Sequence, residues 1–284
     1  MKNFKLLLAT SLTLATGLSF GSVDVIYGDD NRKDVFESTD AVMVRASLST
    51  AGMVPASNIK ITGNTATLSG KRLKDLGICD SERFATQITA ASCSGFLIAP
   101  DVFVTAGHCI TSAADCSNFK WVFDYKMGSA GQRTITVPKT SIYSCSKILA
   151  RTLDPSSKDD YAVIRLDRRV SGRTPLKMRT KGRISAGEDV VVIGHPSGLP
   201  TKISDNAQVR SLQGKYFVAN LDTYGGNSGS AVLNARTGEV EGILVRGEND
   251  YVPDTARGCQ ISNRCNNTGC RGEDVTYITN LKGI

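Results

Sequence analysis

Hydrophobic positions in this chain gather in short runs. Segments of three to six residues rich in Val, Ile, Phe and Tyr recur at 96–99, 102–105, 121–125, 134–137, 161–166, 190–193, 207–212, 216–219, 231–233 and 240–245. Gly, Asn, Asp, Ser or Pro bounds each run, which is the punctuation of strands. Pro100 and Asp101 make the turn between the first two. Helical periodicity is nearly absent apart from a short turn near the C-terminus. Strands this short at this spacing predict an all-β barrel or sandwich. The basic stretch 168–181, with Gly172 and Pro175, is the candidate connector between two halves.

The N-terminus follows a different pattern. Lys2 and Lys5 precede a short apolar core containing Leu6, Leu7, Leu8, Leu12 and Leu14, and Ser19 and Gly21 follow at the spacing a signal peptidase accepts. Residues 1–21 therefore predict an export signal, and the apolar part is too short to span a bilayer. Residues 22–62 are polar, with a charged cluster at Asp29, Asp30, Arg32, Lys33 and Asp34; an N-terminal arm or a partial propeptide is expected there.

Composition narrows the class. The chain has 284 residues, 40% hydrophobic and 21% charged, which excludes a disordered, fibrous or membrane-embedded protein. Its net charge of +7 is spread along the chain, so no nucleic-acid partner is expected, and no membrane partner once the signal is removed. Eight cysteines in an exported chain favour disulfides. No cysteine pair has the two-residue gap of a zinc knuckle and there are only two histidines, His108 and His195, so neither metal nor cofactor is expected.

Three segments carry chemistry: Thr105-Ala106-Gly107-His108-Cys109, then Asp159-Asp160-Tyr161-Ala162-Val163-Ile164, then Gly225-Gly226-Asn227-Ser228-Gly229-Ser230. A serine hydroxyl is a poor nucleophile near neutral pH, and a histidine can take its proton during attack and return it to the leaving group. A buried carboxylate fixes the imidazole tautomer and steadies the imidazolium. Glycines beside the serine let backbone N–H groups turn toward a developing oxyanion, and Gly226 and Ser228 are the natural donors. The lipase elbow Gly-x-Ser-x-Gly fails because position 230 is Ser.

These segments, with Cys93-Ser94-Gly95-Phe96-Leu97 sixteen residues ahead of Cys109, resemble the trypsin/chymotrypsin-fold serine endopeptidases, in the bacterial branch that includes glutamyl endopeptidases. The resemblance spans 79–245, and residues 25–32 also resemble the mature N-terminus of glutamyl endopeptidases. It implies two six-stranded antiparallel β-barrels, the first over 63–167 and the second over 168–284, with the active site in the cleft between them. His108 is then general base and acid, Asp160 rather than Asp159 the orienting carboxylate, and Ser228 the nucleophile. Cys93 and Cys109 form the disulfide that staples the histidine loop; Cys116 with Cys145 fits a local staple in the first barrel, and Cys79 is the distant partner for one of Cys259, Cys265 and Cys270. His195 belongs to a turn bordering the cleft. Asn227 replaces the aspartate that pairs with the new amine in animal trypsins, so maturation must differ, with an amine at Val25 docking elsewhere.

Specificity is expected at Asp222, six residues before Ser228, where trypsins bind arginine or lysine through an aspartate. Thr223, Val245, Arg246 and Gly247 are expected to line the same pocket, and 245–247 to bind substrate backbone as an added strand. Glutamate-specific members carry a histidine on that strand, and this chain has Leu244 and Val245. A slight lean to basic residues at the cut follows. The expectation is a secreted monomer, extracellular or periplasmic, acting on proteins or peptides. A silent protease-fold binding or adhesion protein, and an esterase on the same scaffold, are the alternatives.

Overall fold

The computed structural model describes residues 25–282; the export signal expected at 1–21 lies outside them. Seven strand segments build the first half: β1 (Thr50–Pro55), β2 (Cys93–Ala99), β3 (Val102–Thr105), β4 (Phe119–Phe123), β5 (Ile142–Tyr143), β6 (Cys145–Leu153) and β7 (Asp160–Leu166). They pair antiparallel in the order β5-β4-β1-β2-β3-β7-β6. The outermost segments, β5 and β6, are separated in sequence by Ser144 alone, so the sheet curls round on itself. Phe103, Trp121, Phe123 and Tyr143 fill it as a chain of ring contacts, 4.7 to 5.9 Å between centroids.

The second half is a closed barrel of six strands: β8 (Asp189–Gly194), β9 (Lys202–Leu212), β10 (Tyr216–Ala219), β11 (Ala231–Asn234), β12 (Val240–Arg246) and β13 (Glu273–Tyr277). The ladder runs β8-β11-β12-β13-β10-β9 and returns from β9 to β8. Val190, Val192, Phe217, Leu244 and Val275 pack inside it. This is the chymotrypsin-like two-barrel architecture. Every strand run expected from the hydrophobic pattern has a counterpart; the run at 134–137 is the strand Ile135–Pro138, which pairs with Thr65–Leu68 in a separate small sheet. The short helical turn expected near the C-terminus is present at Ile278–Asn280, directly after β13, in which Glu273 and Asp274 are buried.

The N-terminal boundary needs correction. The described residues of that expected arm, 25–62, do not act as one unit. Ile26–Tyr27 and Arg32–Asp34 lie on the second half, pairing with Arg264–Cys265 and with β9. Lys202 fastens this arm through a buried 2.6 Å ion pair to Asp34. A short helix, Ala41–Ser47, follows, its first turn capped by Asp40, which accepts from the Val42 and Met43 N–H groups. The chain then enters the first sheet, where β1 is hydrogen-bonded on both sides. Removing residues 50–62 as propeptide would withdraw an interior strand.

Four disulfides join Cys79–Cys259, Cys93–Cys109, Cys116–Cys145 and Cys265–Cys270. Cys79–Cys259 spans 180 residues and ties the two halves together.

Candidate active site

The register of β3 and β7 sets half of the site. Ala162 is paired with Thr105, so the antiparallel ladder carries the start of β7, Asp160, alongside Gly107 and His108. Asp160 is 1% exposed. Its Oδ1 accepts from the N–H groups of Gly107 (2.7 Å) and His108 (3.2 Å), and its Oδ2 lies 2.8 Å from His108 Nδ1. A carboxylate bound this way keeps the proton on Nδ1 and leaves Nε2 to accept one. Asp159 instead receives the Asn280 amide at 2.8 Å, away from the ring.

Ser94 on β2 brings the serine loop to this edge. Its N–H donates to the Ser228 carbonyl (2.8 Å), its Oγ donates to the Gly226 carbonyl (2.8 Å), and the same Oγ accepts from the His195 N–H (2.9 Å). The Ser228 carbonyl also lies 3.6 Å from Cys109 Sγ, in the residue after His108. One serine thus holds the oxyanion turn, the nucleophile candidate and the His195 loop against the first sheet. Among the described hydrogen bonds none joins Ser228 Oγ to His108. In unliganded proteases that bond is often long and tightens with substrate.

Gly226 has φ +98°, and a Cβ there would lie 2.6 Å from the His195 carbonyl. No other residue fits that turn. The N–H groups of Gly226 and Ser228 have no acceptor among the described hydrogen bonds, while the neighbouring Asn227 and Gly229 N–H groups are bonded to Tyr224 and Leu244 carbonyls. Two donors are therefore left for an oxyanion.

His195 is fully buried, stacked 5.3 Å from the Tyr125 ring, with Nδ1 3.0 Å from the Leu199 carbonyl. Burial pushes its pKa down to about 3, so it stays neutral and shapes its turn. Cys93, His108 and Cys109 present metal-type atoms within 4.8 Å of one another, but both sulfurs are in one disulfide and offer no thiolate.

The specificity residues depart from expectation. Asp222 does not present its carboxylate to a pocket: Oδ1 accepts the Tyr27 N–H (2.7 Å) and Oδ2 the Asn31 N–H (2.8 Å), and the residue is 3% exposed. Both oxygens hold the N-terminal arm. Burial pushes its pKa up to about 7 against these two donors. Thr223 is buried; its N–H reaches the Val25 carbonyl (3.4 Å) and its hydroxyl donates to Glu273 (3.0 Å). Val245 is buried within β12. Gly247 gives its carbonyl to Arg271 Nη1 (3.0 Å).

Arg246 is engaged within the protein. Its Nη1 lies 3.4 Å from Asp160 Oδ2, the oxygen nearest His108 Nδ1, while Nε reaches Asp274 (3.2 Å) and Nη2 the Lys158 carbonyl (2.8 Å). A guanidinium bridging two buried carboxylates fixes Asp160 from the second barrel. Sequence reasoning named Arg246 for the wrong contact. It missed Ser94, although Ser94 stands inside a quoted motif, because a single serine carries no pattern of its own.

The comparisons agree with this architecture. The family described as "Trypsin-like peptidase domain" matches residues 93–243, more than half of the chain, and the chain belongs to that family. Among solved structures it is similar to a Glu endopeptidase in complex with MPD, at 17% identity and TM-score 0.50, covering 90% of this chain and 94% of that one. It is also similar to the inactive form of a mutant of the M. tuberculosis protein Rv3671c, at 14% identity and TM-score 0.46, covering 89% and 91%. At these identities the likeness concerns the fold. The protein is a trypsin-like peptidase with the chymotrypsin-type two-barrel fold.

Proposed function

We propose that this protein is a secreted serine endopeptidase working through an acyl-enzyme, with Ser228 as nucleophile, His108 as general base and acid, Asp160 as orienting carboxylate, and the Gly226 and Ser228 N–H groups as oxyanion donors. The observation that carries this reading is the Asp160–His108 pair facing a serine loop held against the same sheet edge by Ser94. Ser228 Oγ attacks the carbonyl as His108 Nε2 takes its proton; the amine leaves with that proton, and water then releases the acyl group by the same route. Secretion is supported by the sequence at 1–21 and by the four disulfides, which suit an oxidising compartment; no described helix is long and apolar enough to cross a membrane.

A fluorophosphonate should label the wild type at Ser228, and S228A should lose labelling together with several orders of magnitude in peptide hydrolysis. Unlabelled wild-type protein would support the binding-protein reading, and ester turnover without peptide turnover would support the esterase.

Both buried carboxylates near the expected pocket are engaged by the protein itself: Asp222 accepts from the Tyr27 and Asn31 N–H groups, and Glu273 from the Tyr27 and Thr223 hydroxyls and the Glu248 N–H. The slight lean to a basic side chain ahead of the cut bond is therefore put to a peptide library, in which equal cleavage after Lys, Arg and Leu removes it. Maturation ahead of Val25 fits the same region: Val25 is buried with its carbonyl on Thr223. N-terminal sequencing of the mature protein checks this, and a start far from Val25 rules it out.

A further inference from the structure

The Gly226 N–H sits at the corner of a turn whose two central residues, Gly225 and Gly226, are both glycine. The Asn227 N–H closes this turn onto the Tyr224 carbonyl at 2.9 Å. Glycine has the widest backbone range of any residue, so a Gly-Gly corner does not fix its own place. A donor that must meet an oxyanion to within about 0.5 Å needs anchors from outside. Asn227 supplies none among the described hydrogen bonds of its side chain: its amide oxygen accepts from Ser230 Oγ, three residues along, at 3.3 Å. Ser94, from the first sheet, holds one side of the corner through the Gly226 carbonyl. Asp250 holds the other, its Oδ2 accepting the Gly225 N–H at 2.9 Å.

Asp250 belongs to none of the three reactive segments, and its own place is set from several directions. It lies between β12 and a hairpin in which Tyr251–Asp254 pairs with Cys259–Ser262. Its carbonyl accepts the Asn263 N–H at 2.9 Å, and the Asn263 carbonyl accepts the Ile26 N–H of the N-terminal arm at 3.1 Å. The next residue, Tyr251, has its hydroxyl 2.7 Å from Ser197 Oγ and its ring 4.8 Å from that of Tyr224, the first residue of the turn. The Cys79–Cys259 disulfide ties the far strand of the hairpin to the first half. The carboxylate is therefore fixed in the unliganded protein, and a bond from a backbone N–H to a carboxylate is stronger than one between neutral groups.

We propose that Asp250 is a positioning residue for the oxyanion donors: by holding the Gly225 N–H from the second half, opposite Ser94, it sets where the Gly226 N–H points during attack on the carbonyl. The inference deepens the acyl-enzyme reading above and rests on it. In that step the bond from Ser228 Oγ to the carbonyl carbon forms, an electron pair of the double bond moves onto the carbonyl oxygen, and the Ser228 proton passes to His108. The new negative charge settles against the Gly226 and Ser228 N–H groups. Asp250 acts through the turn, so its effect falls on the transition state, where the oxygen first carries full charge. A negative carboxylate near a forming oxyanion is unfavourable in itself. Its acceptor oxygen is the useful part, and an amide oxygen can take its place.

The test compares wild type, D250A, D250L and D250N on a peptide that the wild type cleaves and on the matching peptidyl trifluoromethyl ketone, whose adduct with Ser228 carries an ionised oxygen. D250A should lower kcat at least about tenfold, short of the roughly hundredfold or greater cost of deleting a donor, with KM nearly unchanged. Affinity for the ketone should fall by the same factor, because its adduct uses the same donors. D250L fills similar space without an acceptor; it should match D250A and decides the matter if D250A folds poorly. D250N keeps an acceptor and should recover most of kcat and of ketone affinity. Wild-type kcat in folded D250A or D250L, or a loss carried by KM with ketone affinity unchanged, overturns this inference alone. Wild-type protein that takes no fluorophosphonate and cleaves no peptide overturns the proposed function itself, and this inference with it.

Discussion

Asp160 and Asp222 are both almost fully buried carboxylates, and both accept two backbone N–H groups. They do opposite things. Asp160 directs its second oxygen to the His108 ring and Arg246, so it is wired to the side chain proposed as the proton carrier. Asp222 gives each oxygen to a different residue of the N-terminal arm, so it is wired to a chain segment. Residue type and spacing from a motif were equally suggestive for the two. The partners decide: a buried carboxylate performs whatever function belongs to the donors that keep it charged or satisfied.

Three substitutions sharpen or break this contrast. The largest effect is expected for D160N, which retains the shape and loses the charge that fixes the His108 tautomer; kcat should fall on the order of ten-thousandfold with little change in circular dichroism. A loss under tenfold would place Asp160 with Asp222, as a structural acid.

D222N should act on stability. With its folded pKa raised from 3.8 to about 7, Asp222 holds a proton in the folded state that the unfolded chain has lost between those pH values. Its contribution is fully present below about pH 4 and is lost as pH rises through about 7, a decline of about 1.4 kcal/mol per pH unit across the window. Denaturant titrations should therefore show a flatter stability profile from pH 4 to 7 in D222N than in wild type. If D222N abolished cleavage after Lys and Arg instead, Asp222 would be the specificity residue after all.

The smallest effect belongs to Arg246. R246Q should lower kcat/KM about tenfold, the value of one charge-assisted hydrogen bond, chiefly through kcat, and R246K should recover part of it. A loss confined to KM would return Arg246 to the substrate.

Much of this was legible in the chain. The ten expected strands are those with dense Val, Ile, Phe or Tyr, whose side chains declare burial on their own. The missed strands hide it. β6 holds mostly exposed and half-buried residues along the edge of its sheet, and Lys147 and Arg151 interrupt its apolar positions. β1 contains Gly52 and ends at Pro55. β13 begins with two acids that become acceptable inside because Thr223 and Arg246 come to them from elsewhere, joined by Arg271, three residues before Asp274.

The sequence by itself determined the fold class, the order of the three reactive segments and the cysteine supply, because these follow from local composition and short spacings. Only the tertiary structure decided where the long-range donors go. Asp222 meets residues nearly two hundred positions away, Arg246 crosses from the second barrel to Asp160, and Cys79 clasps Cys259 over 180 residues. Hydrogen bonds and ion pairs depend on three-dimensional proximity and orientation, and a linear pattern carries that information only where a ladder or a turn fixes the neighbour.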